Sequence, residues 1–181
     1  MQETDVIFQH LDDCVERIIE IVKSVDSFSH VASNEMSFAD INEGLESTLV
    51  LLKNQYKYNI EIVKELGNLP DIKCFPGKLN QVFVNLITNA IQSIKDRGTI
   101  WIKTYKEENF VKVSIKDSGI GIPENKLSEI FDSFYTTKPV GEGTGLGLAI
   151  SKNIIDEHNG SIEVYSKLNV GTEFIITLPM L

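Results

Sequence analysis

The sequence predicts a two-layer α/β sandwich preceded by one long N-terminal helix. Predicted strands and helices follow one another in a mixed order, with antiparallel hairpins and few strand–helix–strand units, which favours one sheet packed against a layer of helices. An apolar stripe near the N-terminus adds the separate helix. The chain has 181 residues, 42% of them hydrophobic, which is enough for one ordinary domain and such an extra element.

The N-terminal helix is predicted from apolar residues spaced alternately by four and three positions. These residues are Ile7, Leu11, Cys14, Ile18, Ile21, Val25, Phe28 and Ala32. The spacing is typical of a heptad stripe on a helix of about eight turns. Further apolar residues beside the stripe favour a multi-helix bundle, although a helix packed on its own domain is an alternative. We therefore assign residues 1–34 to a bundle helix and residues 35–181 to a globular domain.

The elements of the globular domain follow from capping residues and apolar periodicity. Residues 35–39 indicate a linker or a short strand, and Asp40 followed by Glu43 is typical of a helix N-cap. The periodicity predicts helices at residues 41–53, 78–95, 123–130 and 146–158, and strands at residues 60–66, 99–105, 110–117, 161–166 and 172–178. Asn159-Gly160 is a typical end for the last helix.

Charge and cysteine content argue against several classes of protein. The formal net charge is -9 and the basic residues do not cluster, so we expect neither nucleic acid nor direct membrane contact. Cys14 and Cys74 form no CxxC pair, so neither a zinc site nor a disulfide framework is indicated. No apolar run reaches the ~18 residues that would suggest a membrane span. We expect a cytoplasmic location, although a longer full-length protein could be anchored in a membrane.

Two glycine-rich motifs indicate a nucleotide site. The first is Asp117-Ser118-Gly119-Ile120-Gly121, and the second is Gly141-Glu142-Gly143-Thr144-Gly145-Leu146-Gly147. Glycine lets the backbone approach a ligand closely, and a glycine-rich loop that opens a helix presents N–H groups to an anion. One acidic motif combined with one anion cradle suits an adenine base with phosphates.

A row of amide side chains strengthens this prediction. Gln81, Asn85 and Asn89 recur every four residues and therefore share one face of a predicted helix. Such amides are costly beside an apolar stripe unless they find partners, and amide oxygens are hard ligands that suit magnesium. A nucleotide with magnesium would satisfy both demands.

At these motifs the chain resembles the catalytic ATP-binding domain of sensor histidine kinases, within the superfamily that also holds gyrase, heat-shock chaperone and mismatch-repair ATPases. Four motifs of that family occur in order over residues 40–179: the asparagine box at Asn85 and Asn89, the first glycine box, the phenylalanine box at residues 130–138, and the second glycine box. The resemblance implies a Bergerat-type fold, with one mixed sheet covered by helices on one face. It also makes residues 1–34 the second helix of a dimerisation and phosphoacceptor hairpin.

The resemblance implies a role for each matching residue. Asp117 would accept a hydrogen bond from the adenine amino group, Asn89 would bind magnesium, and Lys138 would reach the phosphates. Asn85 would assist at the metal or the phosphates, so Asn85 and Lys138 are the predicted catalytic residues. The full predicted set for ATP and its metal is Asn85, Asn89, Asp117, Gly119, Gly121, Lys138, Gly143, Thr144, Gly145, Leu146 and Gly147.

The predicted reaction is transfer of the ATP γ-phosphate to a histidine. The hydrolytic branches of the superfamily place a glutamate where this chain has Asn85, and no acidic residue occurs between residues 78 and 95. None of His10, His30 and His158 lies in the phosphoacceptor motif, so we expect no autophosphorylation by this chain alone. The resemblance further implies a homodimer and a response regulator as partner. One alternative is an ATPase or serine-kinase module of the same superfamily. Another is an interaction module that does not respond to nucleotide.

Overall fold

The computed structural model describes residues 35–135 and 145–180 of the chain. The predicted bundle helix at residues 1–34, with Cys14, His10 and His30, lies outside the described residues. The strands are β1 Ser37–Ala39, β2 Ile60–Leu66, β3 Ile72–Cys74, β4 Gly98–Glu107, β5 Phe110–Asp117, β6 Ser161–Lys167 and β7 Gly171–Pro179. The helices are α1 Ile41–Tyr56, α2 Pro76–Ser93 and α3 Gly147–Glu157, with a 3-10 helix at Glu124–Lys126.

Five strands form a mixed sheet in the order β2-β4-β5-β7-β6. β2 runs parallel to β4, and the remaining pairs are antiparallel. The chain passes through α2 between the two parallel strands, as a parallel pair requires a crossover. β4 and β5 are antiparallel neighbours, and Asp117 at the end of β5 lies opposite Ile100 near the start of β4. The loop after Asp117 therefore meets the end of α2, and this contact positions the candidate site.

The core lies between the helices and one face of the sheet. Ile100 and Ile102 of β4 and Val113 and Ile115 of β5 are buried under the helices, and the residues between them face the other side. Helix α2 contributes the largest apolar face, with Leu79, Val82, Phe83, Leu86, Ile87, Ala90 and Ile91 buried. Each such side chain contributes about 1.5–3 kcal/mol when fully buried. The predicted two-layer sandwich with helices on one face is confirmed.

Local signals explain where the helices begin. The predicted N-cap of α1 is confirmed, because Asp40 Oδ1 accepts the N–H of Asn42 at 2.7 Å. Helix α2 begins at Pro76, two residues before the predicted start, since proline suits a first helical turn, where its missing N–H costs nothing.

Two predicted segments differ from the structure. The prediction had no strand at residues 72–74, yet β3 pairs with β1, with Ser37 opposite Cys74. Three residues are too few to show a strand period. The helix predicted at residues 123–130 is wrong beyond one turn, because its N–H groups bond three residues back, as in Leu127 to Glu124 at 3.2 Å.

Among the described helices, none combines the length and the hydropathy needed to cross a membrane.

Candidate functional site

Asp117 ends β5 in a buried position, where only 4% of the residue is exposed. Its Oδ1 accepts the N–H of Gly119 at 2.7 Å and the hydroxyl of Ser93 at 2.9 Å. The backbone of Thr172 also donates to the carboxylate. Burial raises the pKa of Asp117, and these three hydrogen bonds oppose that rise. The fold thus holds an oriented acceptor at this point.

The two glycines that follow Asp117 are required by close backbone packing. A Cβ at Gly119 would lie 1.9 Å from Ser93 Oγ. Gly121 has φ +68°, and a Cβ there would lie 2.2 Å from the carbonyl oxygen of Lys167. The loop therefore runs in contact with the end of α2 on one side and the end of β6 on the other.

Ser93 is a site residue that the sequence prediction missed. It is the last residue of α2, and its carbonyl accepts the N–H of Ile120 at 3.1 Å while its hydroxyl bonds to Asp117. The available signal was its position four residues after Asn89, which extends the four-residue spacing of the amide row by one turn.

Asn85, the middle member of the amide row on α2, faces the start of α3. Asn85 Nδ2 donates to the carbonyl oxygen of Gly147 at 3.1 Å and to Ser151 Oγ at 3.3 Å. Ser151 Oγ in turn donates to the same carbonyl at 2.8 Å. Because its nitrogen is engaged, the oxygen Oδ1 is the atom of Asn85 suited to a metal or a phosphate-bound water. Asn89 is half-buried one turn further along, whereas Gln81 is exposed.

Of the predicted second glycine motif, Gly145, Leu146 and Gly147 belong to the described residues. Gly143, Thr144 and the predicted Lys138 lie outside them. The carbonyl of Gly145 accepts the N–H of Phe134 at 2.9 Å, and both residues have positive φ, 65° and 69°. A Cβ at Gly145 would lie 2.4 Å from the carbonyl carbon of Phe134. We call this contact the Phe134–Gly145 clasp. It brings together the chain on either side of residues 136–144.

Helix α3 presents its N-terminus beside the amide row. It begins at Gly147, after the N-cap Leu146, and its first turn holds no acidic residue. The first N–H groups of a helix lack partners within the helix and favour an anion. The described residues contain no group of three or more His, Cys, Asp or Glu side chains that could hold a metal.

The other end of α3 is fixed to the start of α2. His158 is buried, its Nε2 accepts the N–H of Phe75 at 3.0 Å, and its Nδ1 lies 2.7 Å from the carbonyl oxygen of Ile154. This pattern requires a neutral imidazole with the proton on Nδ1. Lys78 and Glu157 add a surface ion pair at 2.7 Å. His158 therefore has a structural role at this junction of α3 and α2.

Comparison with known proteins identifies the family. Residues 76–181 match the family described as "Histidine kinase-, DNA gyrase B-, and HSP90-like ATPase". The chain belongs to this family. The predicted resemblance is thereby confirmed, and the described residues form an ATP-binding domain of the histidine kinase type.

The curated relatives that match are kinases much longer than this chain. Over 144 residues the chain is 42% identical to Sporulation kinase E of Bacillus subtilis (strain 168), a match that spans 77% of this chain and 19% of that protein. Over 172 residues it is 36% identical to sensor histidine kinase ZraS of Escherichia coli (strain K12), spanning 94% of this chain and 35% of that protein. The chain thus corresponds to a minor part of each relative.

Solved structures agree on the fold. The catalytic domain of histidine kinase ThkA superposes with a TM-score of 0.73 at 36% identity, covering 81% of this chain and 96% of that one. A structure of ThkA in complex with the response regulator protein TrrA gives a TM-score of 0.70 at 28% identity, covering 100% of this chain and 51% of that one.

Proposed function

We propose that this chain is the ATP-binding catalytic module of a two-component sensor histidine kinase. It transfers the ATP γ-phosphate to a histidine on a helix outside this chain, for relay to an aspartate of a response regulator. The observation that carries the proposal is the convergence of three elements. Ser93 joins the end of α2 to the Asp117 loop, and Asn85 joins the middle of α2 to the start of α3. Adenine-binding and phosphate-binding groups thus flank one helix.

In this proposal the nucleotide lies along α2. Asp117 accepts a hydrogen bond from the adenine amino group, which distinguishes adenine from guanine because guanine has an acceptor at that position. Gly119 and Gly121 let the backbone pass beside the base. The phosphates face the α3 N-terminus at Gly145, Leu146 and Gly147. The motif adds Gly143, Thr144 and Lys138 to the phosphate contacts, and these three residues are assigned from the sequence alone.

Magnesium fits the amide row as the proposed cofactor. Asn89 is the proposed metal ligand and Asn85 Oδ1 assists, since oxygen donors are what this hard cation takes in proteins. Asn85 already uses its nitrogen on α3, which turns its oxygen away from those contacts. When bound, the ion would neutralise negative charge on the phosphates.

The surroundings of Asn85 favour transfer to histidine over hydrolysis. Its described contacts are a backbone carbonyl and a serine hydroxyl, neither of which is a general base for water. A neutral imidazole nitrogen needs less activation than water to attack phosphorus. Asn85, together with Lys138, therefore acts on the phosphates by position and charge, and the acceptor supplies its own nucleophile.

The proposal extends to the domain organisation and the partners. Residues 1–34 are the second helix of a dimerisation and phosphoacceptor hairpin, and residues 35–181 are the catalytic domain. The full-length protein is a homodimer through that hairpin, and its partner is a response regulator receiver domain. The complex of the similar kinase ThkA with TrrA supports this partner. We place this module in the cytoplasm, and the net charge of -9 supports the absence of contact with nucleic acid or an anionic membrane surface.

Two measurements test the proposal. Calorimetric titration of the chain with ATP and magnesium should give saturable binding, and its absence would contradict the nucleotide assignment. Radiolabel from γ-labelled ATP should then appear on a supplied histidine-bearing helical hairpin and be reduced by Asn85→Ala. Labelling of the chain without that hairpin should stay at background. Binding with steady phosphate release, and no label on the hairpin, would favour the alternative of an ATPase or serine-kinase module.

A further inference from the structure

We propose that Ser93 is a positioning residue that sets the preference of this site for adenine by holding the Asp117 carboxylate in one orientation. The inference rests on the proposed function, in which Asp117 reads the adenine amino group. It extends the recognition of the base from the glycine motif to the last residue of the asparagine-bearing helix.

The backbone and side chain of Ser93 both contact the Asp117 loop. Its carbonyl accepts the N–H of Ile120 at 3.1 Å, and its hydroxyl lies 2.9 Å from Asp117 Oδ1. Gly119 is pressed against it, because a Cβ on Gly119 would lie 1.9 Å from Ser93 Oγ. The half-buried hydroxyl therefore lies between the helix end and the loop, in contact with both.

The hydroxyl of Ser93 has one hydrogen and two acceptors. Its Oγ lies 2.8 Å from the carbonyl oxygen of Ala90 and 2.9 Å from Asp117 Oδ1. An ionised carboxylate is the stronger acceptor, since hydrogen bonds to charged groups are roughly twice as strong as neutral ones. The hydrogen is therefore directed to Asp117. Ser93 approaches Oδ1 from α2 while Gly119 approaches the same oxygen from the loop at 2.7 Å.

The two donors on Oδ1, together with the backbone donor of Thr172, hold the carboxylate in one orientation, and Ser93 is the donor from the helix side. In this orientation the Asp117 carboxylate can accept one hydrogen of the adenine amino group. Because the carboxylate is already oriented, it does not have to reorient when the base binds. Without the Ser93 hydroxyl, Asp117 keeps its charge but loses the restraint from the helix side. The loss should therefore fall on ligands that carry the amino group, and ligands without it should bind as before.

The experiment compares ATP with purine riboside 5′-triphosphate, which has the same phosphates and lacks the 6-amino group. Calorimetric titrations of the whole chain with magnesium present give the affinity ratio of the two ligands. They are carried out for the unmodified chain, for Ser93→Ala, and for Ser118→Ala as matched control. Ser118 is one residue from Asp117, but its hydroxyl accepts the N–H of Thr99 at 2.9 Å and belongs to the β4 side of the loop.

We expect Ser93→Ala to reduce the ratio by about three- to tenfold, the range for loss of one hydrogen bond, with the affinity for the analogue unchanged. Ser118→Ala should leave the ratio as it is. An unchanged ratio in Ser93→Ala, or an equal loss for both ligands, would overturn the inference. If thermal melting shows that Ser93→Ala is unfolded, Ser93→Cys, a weak donor of similar size, must give the same loss of ratio.

The same titrations distinguish a failure of the inference about Ser93 from a failure of the proposed function. An unmodified chain that binds both ligands equally would refute the adenine contact of Asp117 itself. An unmodified chain that prefers ATP, with a preference that survives Ser93→Ala, would refute the role of Ser93 alone.

Discussion

The two ends of the candidate site are built differently. At the base end, Asp117 is buried and receives hydrogen bonds from a helix, a loop and a strand. At the phosphate end, the described groups are the half-buried amides Asn85 and Asn89 and the N-terminus of α3. The fold holds the proposed acceptor for the base in one orientation, whereas the described groups at the proposed phosphate end are neutral dipoles, to which the proposal adds the charges of Lys138, the ligand and its ion.

This contrast separates the tasks of recognition and catalysis. In the proposed site, a carboxylate held in one orientation selects a base because only a ligand with a donor at the matching position forms the hydrogen bond, which contributes about 1.5–3 kcal/mol when one partner is charged. Neutral amides and helix N–H groups discriminate little among triphosphates, but they suit a transferred phosphoryl group whose charge moves during the reaction. Changes at the base end should therefore alter which nucleotide binds, and changes at the phosphate end should alter the dependence on the metal.

The largest effect is expected from Asp117→Ala. The change removes the proposed acceptor for the base, leaves the N–H of Gly119 without its acceptor, and leaves the hydroxyl of Ser93 with the carbonyl oxygen of Ala90 alone. We expect the affinity for ATP to fall by about 100-fold, or roughly 3 kcal/mol, in calorimetric titration. Asp71→Ala, at an exposed position, is the control and should bind ATP normally. Tight ATP binding by a folded Asp117→Ala chain would remove the difference between the two ends.

Asn89→Ala tests the phosphate end. If Asn89 holds the ion, the variant should bind ATP about tenfold more weakly in magnesium and little differently from the unmodified chain in a chelator. Gln81→Ala, on an exposed residue two turns earlier in α2, is the matched control and should match the unmodified chain in both conditions. An equal loss with and without magnesium would assign Asn89 to the nucleotide instead of the metal.

Gly145→Ala tests the Phe134–Gly145 clasp at the edge of the phosphate end. Residue 145 has φ +65°, and a new Cβ would lie 2.4 Å from the carbonyl carbon of Phe134. We expect a loss of about 1–3 kcal/mol in stability, measured by thermal or urea unfolding. Gly147→Ala is the control, because its Cβ would make only an ordinary contact at 3.6 Å with Asn85. Equal stability of the two variants would mean that the clasp opens at no cost.

The parts of the molecule that sequence patterns predicted well are local ones. Strands at residues 60–66 and 110–117 were predicted with both ends correct, and the N-cap at Asp40 was found from its own signature. The parts that were missed depend on contacts between distant segments. β3 forms because β1 pairs with it, and the contact of Ser93 with Asp117 spans 24 residues. A serine at a helix end has no distinguishing pattern until its partner is known.

The same limit applies within the site. The four-residue spacing placed Gln81, Asn85 and Asn89 on one helix face, but it did not indicate which of the three takes part in the site. In the structure Asn85 donates two hydrogen bonds to α3, whereas Gln81, on the same helix, is exposed. Which member of a periodic row acts is decided by the packing of a second helix, which the row itself does not encode.

The smallest expected effect is the dependence of the adenine preference on pH. Burial raises the pKa of Asp117 above its ordinary value. The ionised form accepts the amino group, so the preference for ATP over purine riboside 5′-triphosphate should be full at pH values above the raised pKa and decline as pH falls through it. By the same shift, ionising Asp117 costs folding stability as pH rises from the ordinary to the raised pKa.

The affinity ratio of the two ligands, measured between about pH 8 and pH 5, should therefore be lower at the acid end. The ratio reports the protonation of Asp117, because the two ligands carry the same triphosphate. Protonation of the phosphates changes both affinities equally and does not change their ratio. Asp117→Ala supplies the control and should give a low ratio that does not change with pH. A ratio that stays constant in the unmodified chain would mean that Asp117 remains ionised throughout, and that the three hydrogen bonds to its carboxylate outweigh the cost of burial.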